Sequence, residues 1–123
     1  MSMTFAAVVL GTPDPVELAR FYRALLGWDV VVEEPDWVRL RDPARERPGL
    51  SFQLEADFTP PAWPAGDLHA HLDVLVDDAE DLDAETERAI GLGARLEAVQ
   101  PQPDVRVMRD PHGHLFCLFP PGA

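Results

Sequence analysis

The chain carries one sequence pattern twice. The first copy opens on Ala7-Val8-Val9-Leu10 and closes on Phe52-Gln53-Leu54. The second copy opens on His71-Leu72-Asp73-Val74 and closes on Phe116-Cys117-Leu118, and each end lies 64 residues beyond its counterpart. A short internal repeat of this kind predicts two copies of one supersecondary unit that share a cavity. It also names four equivalent positions for chemistry, which are Ala7, Gln53, His71 and Cys117.

Each copy is predicted to form a strand, a helix and three further strands. In the first copy, residues 4–11 are apolar on both faces and predict a buried strand. Asp14 as the cap, Pro15 in the first turn and Gly27 as the stop then delimit a helix. Three extended runs follow, at Trp28–Glu33, Trp37–Arg41 and Leu50–Glu55.

The second copy repeats this order after a proline-rich connector at residues 56–67, which cannot continue a sheet because proline lacks the N–H. A strand at 68–76 is followed by a helix that Asp77 or Asp78 caps and that runs to about Leu92. The inward side of this helix is predicted to carry Ala79, Leu82, Thr86, Ala89 and Ile90. Extended runs follow at 95–99, 105–109 and 114–119. The chain is therefore predicted to be one α+β domain of two β-α-β-β-β modules, about 4–56 and 67–121, with curved mixed sheets around a cavity.

Composition excludes several classes of function. Ten basic residues against 22 acidic ones give a net charge of −12, which disfavours nucleic-acid binding because phosphate backbones would be repelled. The charge fits a solvated acidic surface, the commoner case, or an acidic groove that attracts a cationic small molecule. One cysteine permits no intrachain disulfide, and neither a membrane span nor a signal peptide is evident. We therefore expect a cytoplasmic protein without a membrane partner.

Alternation along the strands predicts which side chains share the cavity face. His69, His71 and Asp73 alternate with Leu72 and Val74, which face the helix. The polar residues predicted on the cavity face are His69, His71, Asp73, Gln53 and Glu55. The apolar lining is predicted to be Phe5, Ala7, Val9, Leu115, Cys117 and Phe119.

Four motifs carry a resemblance to a known superfamily: Pro60-Pro61-Ala62-Trp63-Pro64, the run from His71 to Asp78, Leu92-Gly93-Ala94 and the run from Asp110 to Leu118. Together with the duplicated plan, they resemble the vicinal oxygen chelate superfamily, which includes glyoxalase, bleomycin-resistance and extradiol-dioxygenase proteins. The chain is most similar to the small glyoxalase-like proteins of actinobacteria, over essentially its whole length. This resemblance implies the two-module fold and a homodimer whose cavity lies at or near the subunit contact.

The resemblance also implies where a metal ion would be held. In metal-dependent members, one side chain from the first strand and one from the last strand of each module bind the ion, which corresponds here to Ala7, Gln53, His71 and Cys117. Only His71 matches the usual His, Gln or Glu ligands well, since Ala7 offers no donor and Cys117 replaces an acid. Zinc accepts His and Cys, but two ligands are too few for a site held by the protein. We expect no cofactor and no tightly held metal, with a divalent metal as the disfavoured alternative.

His71, Asp73 and Cys117 are the candidate catalytic residues. Asp73 can orient His71 as a general base, although an acid in this position is more often paired within the fold. His71 itself either contacts a ligand or completes a hydrogen bond in the cavity. Cys117 could be a nucleophile if His71 took its proton, but a buried free cysteine more often acts as a small apolar residue. His69 could serve as a second ligand or lie exposed near the strand's start.

Other polar and aromatic residues have a structural and a functional interpretation. His112 and His114 are explained mainly by turn geometry. Arg39, Arg41 and Arg109 could reach an anionic ligand, although ion pairs with the abundant acids are the commoner outcome. Trp37 and Trp63 could stack on a flat ligand or cover the core.

These observations favour a protein that binds a small organic molecule in a bleomycin-resistance-like manner. The predicted ligand-binding residues are Phe5, Ala7, Gln53, Glu55, His71, Asp73, Trp63, Cys117 and Phe119. The alternative is an enzyme of the same superfamily, either a lyase or isomerase that uses His71 and Asp73, or a metal-assisted member. The acidic charge mildly favours the binder, because antibiotics of the bleomycin type are cationic.

Overall fold

A computed structural model describes residues 2–68 and 70–122 of the chain. The chain divides into two compact units, Met1–Phe58 and Thr59–Ala123. Each unit contains one four-stranded mixed sheet and one α-helix in the order β-α-β-β-β, so the predicted α+β fold class is confirmed. His69 falls outside the described residues, and the prediction made for it stays a prediction.

The first unit follows the predicted order closely. Its elements are β1 (Ala7–Thr12), α1 (Pro15–Leu26), β2 (Asp29–Glu34), β3 (Trp37–Arg41) and β4 (Gly49–Leu54). The strand order is β1-β4-β3-β2, with β1 parallel to β4 and the other pairs antiparallel. The Asp14 carboxylate accepts the Glu17 N–H at 3.1 Å, and Gly27 ends α1 with a φ of 70°, as the helix signals predict.

The core of the first unit lies between α1 and one face of its sheet. The helix buries Leu18, Phe21, Tyr22 and Leu25 against alternate residues of β3 and β4, and Tyr22 stacks on Phe52 at 5.7 Å between ring centroids. The sheet residues buried on this face are Val38, Leu40, Leu50 and Phe52. Because successive strand side chains alternate, the opposite face carries Trp37, Arg39, Arg41, Ser51 and Gln53.

The second unit has shorter elements than predicted. They are β5 (Leu72–Leu75), a 3₁₀ turn (Ala79–Asp81), α2 (Leu82–Gly91), β6 (Arg95–Leu96), β7 (Arg106–Arg109) and β8 (Leu115–Phe119). The strand order β5-β8-β7-β6 repeats that of the first sheet, with β5 parallel to β8. The strand predicted at 68–76 is thus confined to the second half of that range.

The start of the second helix differs from the prediction. The Asp78 carboxylate makes no capping hydrogen bond; the 3₁₀ turn begins there, and the Asp81 N–H donates to the backbone oxygen of Asp78 at 3.0 Å. Ala79 lies in this turn and is exposed, and Ile90 is exposed near the end of α2, while Leu82, Thr86 and Ala89 are buried as predicted. The prediction that Ala79 and Ile90 face inward was therefore wrong.

The extended run predicted at 95–99 pairs as a strand only over Arg95 and Leu96. After Leu96, the side chain of Gln100 takes the place of a strand partner. Its amide donates to the backbone oxygens of Glu97 and Val107 at 2.9 Å each and accepts the Val107 N–H at 2.9 Å. A side-chain amide therefore bonds to the N–H and the backbone oxygen of Val107 at the edge of β7, where a longer β6 would have continued the strand pairing.

The turn between β7 and β8 is held together by a buried carboxylate. Asp110 is fully buried, and its Oδ1 accepts the N–H groups of His112 and His114 at 2.9 and 3.1 Å. The Nδ1 of His114 lies 2.9 Å from the other carboxylate oxygen. The turn therefore engages the side chain of His114 and the backbone N–H of His112, which agrees with the structural interpretation of His114.

Arg109 joins this turn to the connector. Its guanidinium pairs with Glu97 and donates to the backbone oxygens of Pro61 and Gly113 at 2.8 and 2.9 Å. Gly113 has a φ of 99°, and a Cβ there would lie 2.7 Å from the Cβ of Pro60, so only glycine fits. Of the two interpretations of Arg109, the ion pair is the one observed. Within the described part of the chain, no helix is long and apolar enough to cross a membrane.

Candidate functional site

The second unit contains a cavity of about 430 Å³, called here the second-unit cavity. One part of its wall is polar and is formed by His71, Asp73, Gln102 and Asp104. The remaining lining residues are mainly apolar, and they are Trp63, Leu68, Pro101, Val105, Val107, Leu115, Cys117 and Phe119. Both its volume and its mixture of an apolar wall with a few polar groups are typical of small-molecule sites.

His71 and Asp73 form a pair in this cavity. They alternate with Leu72 at the start of β5, so their side chains lie on the same side of the strand, and His71 Nε2 lies 3.0 Å from Asp73 Oδ1. The side chains are 44% and 60% exposed, respectively. In a neutral imidazole this hydrogen bond places the proton on Nε2 and leaves Nδ1 as an acceptor. The pair can therefore receive a proton or a hydrogen bond from a molecule in the cavity.

Cys117 lies opposite Asp73 in the register of β5 and β8 and is half-buried. Burial raises the pKa of its thiol, and the negative charge of Asp73 raises that pKa further. The thiol is therefore protonated at neutral pH, which opposes a nucleophilic role. This geometry favours the interpretation of Cys117 as an apolar lining residue.

One ligand atom each from His71, Asp73 and Cys117 lies within 4.8 Å of the other two. From the sequence, only His71 and Cys117 were expected as metal donors in this part of the chain. Asp73 adds a third, which is the usual number of protein ligands in a catalytic zinc site.

The strand registers change one of the two equivalences predicted among these four positions, the one between Gln53 and Cys117. In the first sheet Ser51 lies between Val9 and Arg39, and in the second sheet Cys117 lies between Asp73 and Val107. The counterpart of Cys117 is therefore Ser51, whereas Gln53 corresponds to Phe119. The equal 64-residue spacing is misleading. When the first copy is shifted by 64 residues, β1 falls on β5, but the residue of β8 that pairs with β5 lies two positions beyond the shifted position of its counterpart in β4. Ala7 and His71 remain equivalent in this alignment.

The residues present do not fit the four-point metal site that the resemblance implies. Ala7 offers no donor atom, and Ser51 is fully buried with its hydroxyl 3.4 Å from the Nε of Arg39. A guanidinium at that position repels a cation.

The remaining predicted ligand-binding residues lie in the first unit. Ala7 begins β1, and Phe5 precedes it and is exposed. Gln53 is the penultimate residue of β4, and its amide donates to Glu55 at 3.0 Å. The predicted site residues that line the second-unit cavity are His71, Asp73, Trp63, Cys117 and Phe119. Sequence reasoning missed Gln102, Asp104 and Val105, because a loop carries no alternation that would assign its side chains to a face.

Two sheets of equivalent strand order, each with one helix, define the fold of the vicinal oxygen chelate superfamily. A family model described as a glyoxalase-like domain matches residues 7–119, and the chain belongs to this family. No curated protein matches the sequence.

Solved structures share this fold at low sequence identity. A glyoxalase/bleomycin resistance protein/dioxygenase family enzyme from Burkholderia phytofirmans PsJN is 21% identical with a TM-score of 0.75, over 96% of this chain and 98% of that one. A glyoxylase/bleomycin resistance protein/dioxygenase domain from Frankia sp. EAN1pec is 20% identical with a TM-score of 0.69, over 100% and 96% of the two chains. A fosfomycin resistance protein from Listeria monocytogenes is 15% identical with a TM-score of 0.72, over 98% and 92%.

Proposed function

We propose that the protein binds a small organic molecule in the second-unit cavity without a tightly held metal. The observation that carries this proposal is the exposed His71–Asp73 pair in the polar wall of a cavity of about 430 Å³. Exposed polar groups that converge on an apolar cavity provide orientation for a ligand, while the apolar wall provides contact area.

The charges of the lining favour a ligand with a cationic group. Asp73 and Asp104 both line the cavity, whereas none of the described residues in its lining is an arginine or a lysine. The aromatic rings of Trp63 and Phe119 offer surfaces for a flat apolar group and for its attached cation. An aromatic or aliphatic amine is therefore the class of ligand that fits best.

Tryptamine and indole propionate test this proposal because they share an indole ring and differ in charge. Calorimetric titration at low salt is expected to show saturable binding of tryptamine and much weaker binding of indole propionate. Asp73→Asn is expected to weaken tryptamine binding by about tenfold, the value of one charged hydrogen bond. Asp77→Asn is the matched control, because Asp77 is exposed in the same unit and does not line the cavity. Equal binding of the two probes, or equal losses in the two variants, would contradict the proposal.

A second candidate function is metal-assisted catalysis, favoured by the three donors of His71, Asp73 and Cys117. Dialysis against excess zinc followed by metal analysis separates the two candidates. We expect no stoichiometric ion. Cys117 must lose its proton to bind zinc, and burial and the charge of Asp73 raise the pKa of its thiol. One retained ion per chain that is lost in His71→Gln and in Cys117→Ser would support the metal-assisted enzyme.

A further inference from the structure

The first unit has a cavity of its own, of about 400 Å³, called here the first-unit cavity. The chain has ten basic residues, all arginines, and a net charge of −12. Four of these ten arginines line the first-unit cavity. The full lining is Ala6, Val31, Val32, Arg39, Leu40, Arg41, Arg45, Arg47 and Gly49. Such a concentration of cations is opposite in sign to the rest of the molecule.

The strands and the turn of this unit position the four arginines. Arg39 and Arg41 alternate with the fully buried Val38 and Leu40 in β3, so they lie on the sheet face turned away from α1. Arg45 and Arg47 belong to the turn that joins β3 to β4. The cavity therefore combines one sheet face with the turn at the end of the same strands.

Asp42 fixes the conformation of this turn. Its carboxylate accepts the N–H groups of Ala44 and Glu46 at 3.0 and 3.2 Å, and its backbone oxygen accepts the N–H of Arg45 at 2.9 Å. Arg45 itself has a φ of 57°. The carboxylate next to the arginines is thus engaged with the backbone and forms no ion pair with them within the described residues.

Three of the four guanidinium groups have no partner among residues 2–68 and 70–122. The side chains of Arg41, Arg45 and Arg47 form no hydrogen bond or ion pair there, and Asp29, which lies opposite Arg41 in the register of β2 and β3, makes none with it. Arg39 is the exception, since it donates to Ser51 at 3.4 Å and lies 5.8 Å from the centroid of the Trp37 ring. With 22 acidic residues in the chain, cations left unpaired around one cavity indicate a site for an external anion.

We propose that the first-unit cavity binds a phosphate monoester of a small organic molecule. The planar, five-donor guanidinium group matches phosphate oxygens in pairs, and the side chain stays charged at all relevant pH values. A phosphate carries about −1.5 to −2 charges at pH 7 on three acceptor oxygens, which suits several arginines better than one carboxylate does. Ala6, Val31 and Val32 provide apolar contact for the organic part.

Phenyl phosphate is the probe, titrated calorimetrically into the full chain at low salt, with citrate and benzoate as carboxylate comparisons. We expect saturable binding of phenyl phosphate, and binding weakened by at least about tenfold in the double variant Arg45→Gln/Arg47→Gln. Arg20→Gln/Arg23→Gln is the matched control, because it makes the same charge change at exposed positions of α1 in the same unit. The control is expected to change the affinity by less than about twofold, through long-range charge alone.

Arg45→Lys, which keeps the charge but loses the paired donors, is expected to bind more weakly than the native chain. Lowering the pH from neutral to below about 6 is expected to weaken binding, since the phosphate then loses its second charge while the arginines keep theirs. Failure of phenyl phosphate to bind saturably would overturn the proposal, as would equal losses in the two double variants. Citrate binding as tight as that of phenyl phosphate would overturn the assignment to a phosphate ester. A change of oligomeric mass in Arg45→Gln/Arg47→Gln without a change in probe affinity would instead identify the arginines as a contact between chains.

Discussion

Cys117 keeps its proton because its surroundings oppose the thiolate. Burial raises the pKa of the thiol most, and the carboxylate of Asp73 across the β5–β8 pair adds to the effect. Because the pKa is raised in the folded chain, the protonated thiol stabilises the fold below the unfolded pKa. This contribution is lost as the pH rises through the folded-state pKa. The rate at which the Cys117 thiol is alkylated depends on this pKa, and it therefore reports the negative charge close to the thiol in the second-unit cavity.

Asp73→Asn is expected to raise the rate at which iodoacetamide alkylates Cys117 at mildly alkaline pH by a few-fold, roughly the effect of a nearby charge on a thiol pKa. Removing the carboxylate removes one cause of the raised pKa, while burial remains. The rate should therefore stay below that of an unfolded cysteine peptide. Asp104→Asn serves as the control, because Asp104 lines the same cavity and is not a cause of the shift. Equal acceleration in both variants would show that access to the cavity, and not charge, governs the rate.

The exposure of His71 and Asp73 predicts that they contribute little to stability. An exposed hydrogen-bonded or ionic pair contributes about 0–1 kcal/mol, so His71→Gln/Asp73→Asn should lower the free energy of unfolding by no more than about 1 kcal/mol. Urea denaturation measures this value, and tryptamine titration of the same variant should show lost binding. Asp110→Asn provides the comparison, because Asp110 is fully buried and bonded to backbone N–H groups, and should cost about 1–3 kcal/mol. A comparable loss in the double variant would assign His71 and Asp73 to a structural network.

At the scale of elements, α1 and β3 were predicted almost to the residue because their signals are local. Asp14, Pro15 and Gly27 each have one physical role, and Trp37–Arg41 alternates between buried and exposed residues. The start of α2 was not predictable in this way, since the acidic run before it offers several residues that can serve as a cap. The most local signals therefore gave the most accurate boundaries.

The limits of β6 and of the repeat alignment depend on contacts between distant residues. Gln100 ends β6 by bonding to Val107, seven residues away, which no pattern in residues 95–99 reveals. Likewise, Ser51 is the counterpart of Cys117 only through strand pairing. The repeat is visible in the spacing of residues along the chain, but the two-residue displacement of β8 is visible only in the strand pairing. For the same reason the loop residues Gln102 and Asp104 were not assigned to the cavity.

Gln100 is expected to be the most important single side chain for the edge of the second sheet. Replacing Gln100 with alanine leaves the Val107 N–H and the backbone oxygen of Glu97 without the side-chain partner they have now, while the Val107 oxygen keeps the Glu97 N–H at 3.0 Å. We expect the free energy of unfolding to fall by about 1–3 kcal/mol, the cost of partly buried groups left unsatisfied. The control is Gln102→Ala, since Gln102 is exposed, and should change stability by less than about 0.5 kcal/mol. Urea denaturation of both variants provides the measurement, and equal midpoints would contradict this role.

For the whole molecule, the two cavities differ in charge. The second-unit cavity is lined by Asp73 and Asp104, and the first-unit cavity by four arginines. In the equivalent row of the two sheets, Val9, Ser51 and Arg39 correspond to Asp73, Cys117 and Val107. The duplicated units thus have the same fold and differ in the charge of the side chains that line their cavities.

The homodimer implied by the family resemblance stays a prediction. Light scattering on the purified chain is expected to give twice the chain mass of 13.6 kDa. Dilution across a wide concentration range distinguishes a stable dimer from a weak association, because only the latter loses mass on dilution. A mass of 13.6 kDa at all concentrations would contradict the prediction.

Residues 59–67 of the proline-rich connector belong to the second unit. Arg109 donates to the backbone oxygen of Pro61, Pro60 occupies the space that Gly113 leaves open, and Trp63 lines the second-unit cavity. A gene fragment for the second unit should therefore begin at Thr59, before the prolines, and not at residue 67 where the strand pattern resumes. Recombination between relatives at residue 67 would join this Arg109 and this cavity to a connector from another protein, with a different residue in the place of Trp63 wherever the two sequences differ there. Exchange before Thr59 would transfer the second-unit cavity together with the segment that completes its wall.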